Sequence, residues 1–129
     1  MQTSTVPVKV FLADDSAPIR QRVAAMLTSS AMTVVGEGET PQGCIDGILA
    51  SRPDVVVLDC QLEGGTGLEV LRAVRRSRPE VAFVVLSNNA AAAYRKRYLA
   101  EGAQSFLDKS TEFDQLAQAI ASASPRVKH

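Results

Sequence analysis

Five short hydrophobic runs, Val8–Ala13, Met32–Gly36, Val55–Leu58, Val81–Leu86 and Ser105–Leu107, alternate with longer stretches in which apolar residues recur every three or four positions. Short apolar runs predict strands and the longer period predicts helices, so the pattern reads as strand then helix, five times over. Such alternation implies an α/β fold around a parallel sheet with helices on its faces. Val55-Val56-Val57-Leu58 is apolar at every position, as a strand must be when both sides of its sheet are covered, and is expected to be central.

The intervening helices can be placed by stripe and cap. The first carries Ile19, Val23, Met26 and Leu27 on one face, with Ser16 as N-cap and Pro18 in the opening turn. The second starts at Thr40-Pro41, turns Cys44, Ile45, Ile48 and Leu49 inward, and ends at Arg52-Pro53. The third opens with a capping box, Thr66-x-x-Glu69, and buries Leu68, Leu71 and Val74. A second box, Thr111-x-x-Asp114, is expected to open the fifth, whose stripe is Phe113, Leu116, Ala117 and Ile120. The fourth, about Ala90–Glu101, offers its inner side mainly alanines plus Tyr94, Tyr98 and Leu99, so it is expected to be the least anchored. Residues 8–122 then form one domain, with a flexible stretch over 1–7 and a tail or linker stub over 123–129.

Composition narrows the function classes. The 129 residues are an ordinary single-domain size. Lys+Arg and Asp+Glu are both 14, so no surplus of positive charge draws a nucleic acid or an anionic membrane. The basic run Tyr94-Arg95-Lys96-Arg97-Tyr98 is read as a solvated helix face. The longest apolar run, Val81–Leu86, falls far short of the roughly 20 residues of a membrane span, and Met1–Val8 lacks the regions of a signal peptide. Cys44 and Cys60 have no metal-binding or CxxC spacing, which fits a reduced, cytoplasmic protein.

The chemistry lies where the strands stop. Asp14 and Asp15 follow the first strand, Asp59 the third, Ser87 the fourth, and Lys109 comes just after the fifth. Ligands of an open parallel sheet bind outside the carboxyl ends of its strands, so these distant residues are expected to meet. Three crowded carboxylates repel one another and call for a cation, and an all-oxygen set without His or Cys favours Mg²⁺ over Zn²⁺. A carboxylate neutralised in this way can act as a nucleophile toward phosphorus. Asp59, alone at the tip of the central strand, is chosen for that part. Lys109 and the Ser87 hydroxyl are then placed to hold phosphoryl oxygens. Taken singly, each residue has an ordinary explanation: helix capping for Asp14-Asp15 and Ser87-Asn88-Asn89, a turn for Asp59, a solvated charge for Lys109 and plain core for Phe106. Their shared position at strand ends sets the group apart.

Asp14-Asp15, Leu58-Asp59 followed by Leu62 and Gly67-Leu68-Glu69, Leu86-Ser87-Asn88 and Phe106-Leu107-x-Lys109 occur in order, and with them the chain resembles the receiver domain of bacterial two-component response regulators over residues 8 to about 122. The resemblance implies the flavodoxin-like fold, a doubly wound five-stranded parallel sheet of order 2-1-3-4-5 with five helices. It implies that Asp59 accepts a phosphoryl group from a histidine kinase or phosphotransfer protein, catalysing its own phosphorylation and slow autodephosphorylation. It gives Asp15, Asp59 and the Gln61 backbone carbonyl as direct Mg²⁺ ligands and Asp14 as a water-mediated one. Ser87 and Phe106 become the switch pair, Lys109 senses the phosphoryl group with Ser87, and Gln61 and Asn89 tune how fast water reaches it. A downstream protein or a covalently linked output domain would read the fourth helix, fifth strand and fifth helix, and a phosphorylation-dependent homodimer is allowed.

Two positions depart from the family pattern. Phe106 has no hydroxyl where Tyr is common, and Glu63 stands where Pro is usual, so that with Gly64-Gly65 the loop after Asp59 is expected to be mobile. Two other readings compete: a phosphorylation-independent interaction module that would bind no Mg²⁺, and a phosphohydrolase with an aspartyl nucleophile. The second usually needs another acid two positions on, where this chain has Gln61.

Overall fold

The computed structural model describes residues 7–88 and 91–124. In chain order the elements are β1 (Lys9–Ala13), α1 (Ala17–Ser29), β2 (Thr33–Gly38), α2 (Pro41–Ser51), β3 (Val55–Leu58), α3 (Gly67–Ser77), β4 (Ala82–Ser87), α4 (Ala92–Ala100), β5 (Ser105–Asp108) and α5 (Leu116–Ala123). A two-rung antiparallel hairpin pairs Gln61–Leu62 with Gly65–Thr66 between β3 and α3. The main strands form one parallel sheet in the order β2-β1-β3-β4-β5, the flavodoxin-like arrangement.

Alternation along the strands sorts the core into two layers. Phe11, Ala13, Val56, Leu58, Phe83, Val85 and Phe106 pack on one face against α2, α3 and Tyr98 of α4. Val10, Leu12, Val55, Val57, Val84, Leu86 and Leu107 pack on the other against Val23 and Leu27 of α1 and Leu116 and Ile120 of α5. All four residues of β3 are buried at its central position. Gly36 of β2 and Gly47 of α2 close on the Phe11 ring from two sides, where a Cβ would come within 2.9 and 2.7 Å of it.

Caps set the helix starts near the site. The Ser16 hydroxyl accepts from the Ile19 N–H at the head of α1, and Thr40 accepts from the Gly43 N–H at the head of α2. The Thr66 and Glu69 capping box opens α3 as its spacing predicts. α2 ends on Arg52, in the left-handed region at φ 52°, whose N–H donates to the Ile48 carbonyl before Pro53 turns the chain away.

Other elements depart from the pattern reading. No box forms at Thr111: a 3₁₀ turn, Phe113–Gln115, precedes α5, and neither segment has a side-chain cap. Here Glu112 reaches back to accept from the Asp108 N–H, and Asp108 accepts from Ser110, so these local bonds organise the turn instead. In α4 only Tyr98 is buried, while Tyr94 and Leu99, expected inside, are 37 % and 42 % exposed. A helix crossing near the sheet edge rests on one narrow line of contact, so its apolar residues cannot all face inward. Helix α5 extends through Ala123, and Ser124 is buried. Among the described residues no helix is long and apolar enough to cross a membrane.

Candidate functional site

The register of the sheet assembles the site. Ala13 pairs with Leu58, and Leu58 with Val85, so the first residues beyond β1 and β3, Asp14 and Asp59, emerge side by side. The Asp59 N–H donates to the Ala13 carbonyl (2.9 Å) and the Asp14 N–H to the Gly38 carbonyl (3.1 Å), carrying the ladder one residue past the strands. Ser87 pairs with Asp108 on β5, and the Lys109 N–H donates to the Ser87 carbonyl (3.0 Å). Parallel strands that end together thus deliver their next residues to one crevice, beside the point where β1 is flanked by β2 and β3.

In that crevice the Lys109 Nζ lies 2.8 Å from Asp14 Oδ2 and 3.0 Å from Asp59 Oδ2. One oxygen from each of Asp14, Asp15 and Asp59 lies within 4.8 Å of the others. Asp14, Asp59, Ser87 and Lys109 are buried, whereas Asp15 is exposed at the mouth. The Gln61 N–H donates to Asp59 Oδ1 (3.4 Å) and the Ser16 N–H to Asp14 Oδ1 (2.9 Å). The open cleft has a volume of about 370 Å³, and Gln61, Ser87 and Asn88 share its lining with the three aspartates and Lys109. Asn89 lies outside the described residues.

Electrostatics make this a charged and unbalanced place. Burial is the largest influence on Asp59 and pushes its pKa up; the Lys109 charge opposes this and the Asp14 charge reinforces it, leaving the carboxyl above its ordinary value. Burial works against the Lys109 ammonium, but its hydrogen bond to Asp14 and the charges of Asp59 and Asp14 together outweigh that and hold its pKa above the ordinary value. Three ionised carboxylates against one ammonium leave two negative charges, which a divalent cation balances. With oxygen donors only, the residues fit a hard cation such as Mg²⁺.

A family model for the response regulator receiver domain matches residues 10–121. The chain belongs to that family. This receiver domain is 29% identical over 114 residues to the response regulator GacA of Pseudomonas aeruginosa, a match covering 88% of this chain and 53% of that protein. The chain spans about half the length of the curated relatives it matches. The solved signal receiver domain of NarL from Mycobacterium tuberculosis is 29% identical with a TM-score of 0.81, over 90% of this chain and 94% of that one. A chain of the CheX-CheY-BeF3-Mg+2 complex from Borrelia burgdorferi has the same fold, at 18% identity and a TM-score of 0.85, over 91% of this chain and 89% of that one.

Around the receiver pocket, Phe106 is buried and meets Tyr98 edge-on, their ring centroids 5.9 Å apart. Cys60, next to Asp59, is buried in the same cluster, with the Ser87 and Tyr98 side chains in hydrogen-bonding contact. The loop after Asp59 is tied by its hairpin rungs, by the Glu63 N–H donating to the Glu39 carbonyl (2.9 Å), and by Gly64 turning the chain at φ 82°. Gly67 is required beneath the site, because a Cβ there would collide with the Asp59 carbonyl.

Two arginines near the site escaped the pattern reading. Arg95, assigned to a solvated face, donates to the Phe106 carbonyl (2.7 Å) and pairs with Glu112 (3.4 Å), so it ties α4 to the sheet edge. Arg20 donates to the Asp14 carbonyl (2.6 Å). Its side-chain partners stand 17 and 19 residues away, at the end of β2 and just past it, a separation that leaves no local signature.

Proposed function

We propose that this receiver domain takes a phosphoryl group onto Asp59 in a Mg²⁺-dependent step and relays the change to the surface formed by α4, β5 and α5. The observation that carries the reading is the convergence of the Asp14, Asp15 and Asp59 carboxylates within 4.8 Å, with the Lys109 ammonium on two of them. In the step, an Asp59 carboxylate oxygen bonds to phosphorus while the bond from phosphorus to the donor breaks, its electron pair leaving with the donor group. Phosphoryl transfer asks mainly for alignment and charge neutralisation. Lys109, already protonated, would pair with one phosphoryl oxygen and the Ser87 hydroxyl would donate to another. Asp15, Asp59 and the Gln61 carbonyl would hold Mg²⁺, with Asp14 acting through water; the bound ion supplies positive charge against the carboxylates and the phosphoryl oxygens. The Borrelia complex that shares this fold contains Mg²⁺ and beryllofluoride, which is consistent with this assignment.

In this reading the donor is a histidine kinase or phosphotransfer protein, and the switch runs through Ser87 and Phe106. Gln61 and Asn89 govern water's access when the acyl phosphate hydrolyses to carboxylate and inorganic phosphate. Residues 8–122 make up the working unit, which acts in the cytoplasm on a downstream protein or a linked output domain, with dimerisation open to phosphorylation. The test is intact-mass measurement after incubation with Mg²⁺ and a small acyl-phosphate donor. A gain of one phosphoryl group is expected in the wild type, and none in Asp59→Asn or when Mg²⁺ is chelated. An adduct that survives Asp59→Asn identifies another acceptor, and a wild type that neither binds Mg²⁺ nor gains mass supports an interaction module working through contacts alone.

A further inference from the structure

Arg20 sits in the first turn of α1, where the positive end of the helix dipole disfavours a cation, and yet its side chain is only 12% exposed. Each guanidinium nitrogen donates one hydrogen bond. Nε donates to Glu37 (2.7 Å), Nη2 to Glu39 (3.0 Å) and Nη1 to the backbone carbonyl of Asp14 (2.6 Å). Glu37 lies in β2 and Glu39 in the bend just past Gly38, and both carboxylates reach one planar fork. The Gly38 carbonyl in turn accepts from the Asp14 N–H.

The Asp14 carbonyl belongs to the peptide plane that joins Asp14 to Asp15. Fixing it fixes the direction in which Asp15 leaves the backbone. Asp14 has further restraints, from Lys109 and from the Ser16 N–H, but the exposed Asp15 carboxylate is given no hydrogen bond or ion pair of its own among the described residues.

We propose that Arg20 is a positioning residue for the acidic pocket: anchored by Glu37 and Glu39, it clamps the Asp14–Asp15 peptide so that the Asp15 carboxylate faces Asp59 and completes the cation site. The inference rests on the Mg²⁺ site proposed above. Geometry and charge predict opposite signs for its removal. Taking a positive charge away from an acidic pocket draws a divalent cation more strongly, whereas losing the clamp weakens binding. Residues that orient metal ligands from behind typically contribute about 10–100-fold in affinity.

Isothermal titration with MgCl₂ of the wild type, R20A and R20K decides between them, with circular dichroism to show that each variant is folded. The clamp gives about tenfold weaker Mg²⁺ binding in R20A. It gives weaker binding in R20K too, because an ammonium keeps the charge but cannot span three acceptors. Phosphorylation by the small donor is then slow at limiting Mg²⁺ and recovers at saturating Mg²⁺. Tighter binding in R20A, or wild-type affinity in R20K, overturns the clamp while leaving the Mg²⁺ site intact; a wild type that binds no Mg²⁺ overturns both. Should R20A not fold, R20K alone carries the comparison.

Discussion

The surroundings of Asp59 disfavour its charged form: burial and the Asp14 charge both raise its pKa, and the Lys109 ammonium that opposes them is shared between the two carboxylates. The arrangement suits a site that must receive positive charge, and it costs stability while that charge is missing. Asp59→Asn is therefore expected to stabilise the metal-free protein by on the order of 1 kcal/mol, a rise of a few degrees in melting temperature. Mg²⁺ should stabilise the wild type and have much less effect on the variant. Calorimetry checks both, and a metal-free variant melting well below the wild type would contradict the crowded-charge account. Cys44 makes a contrasting case, since burial pushes its thiol from 9.0 up to about 11. A thiol raised by two units carries about a hundredfold less thiolate near neutral pH, and this one is also out of solvent. Labelling of Cys44 by a thiol reagent at about pH 8 is expected only after unfolding. Because the raised pKa favours the native state while the thiol stays protonated, that contribution holds below about pH 9 and fades as pH climbs toward about 11.

Among the helices, α3 and α4 are built to different standards. α3 begins with the Thr66 and Glu69 box and buries Val70, Leu71 and Val74 in the core on one face of the sheet. α4 starts at Ala92, with Ala91 at the N-cap and no side-chain cap, and buries only Tyr98. Its fastenings are polar: Arg95 to the Phe106 carbonyl on one side, and Glu101 to Arg72 (2.7 Å) at the far end. A cavity of about 270 Å³ lies beside its first two turns, lined by Leu68, Ala93, Tyr94 and Tyr98. Exposed polar ties contribute little compared with buried apolar area, so α4 should open at lower free energy than α3. Hydrogen exchange is expected to be faster over residues 92–97 than over Val70–Val74. Equal protection in the two helices would count against a mobile α4.

For the molecule as a whole, the proposed switch is a change of population at the edge of the sheet. Phe106 on β5 touches Tyr98 of α4, and Ser87 on β4 stands at the pocket, so one strand separates the chemistry from the edge that would report it. Beryllofluoride takes the shape of a phosphoryl group on a carboxylate, and with Mg²⁺ it should bias that equilibrium without turnover. Amide chemical shifts are expected to change at Asp59, Ser87 and Lys109 and to extend through Phe106 to α4. Changes confined to the pocket would separate phosphoryl binding from surface switching in this chain.

Much of this was legible in one dimension. The strands end just before Asp14, Asp59 and Lys109, or at Ser87, and hydrophobic runs that stop at a polar residue are local facts that the parallel topology converts into proximity. The Thr66 box, the central β3 and the two-faced core follow in the same way from caps, β-branching and period. Thr111 misled, because a capping box is only an offer of hydrogen bonds and the turn is organised by those of Glu112 and Asp108 instead. Tyr94 and Leu99 misled, because periodicity says which residues share a helix face and not how wide a surface that face will meet. What the chain determined by itself was the order of elements and the chemistry at their ends. Tertiary structure alone decided the Lys109 bridge between two carboxylates, the grip of Arg20 on the Asp14 carbonyl and the tie of Arg95 to the sheet edge. Long charged side chains find partners by distance in space, and nothing in the spacing of residues along a chain records which ones they will reach.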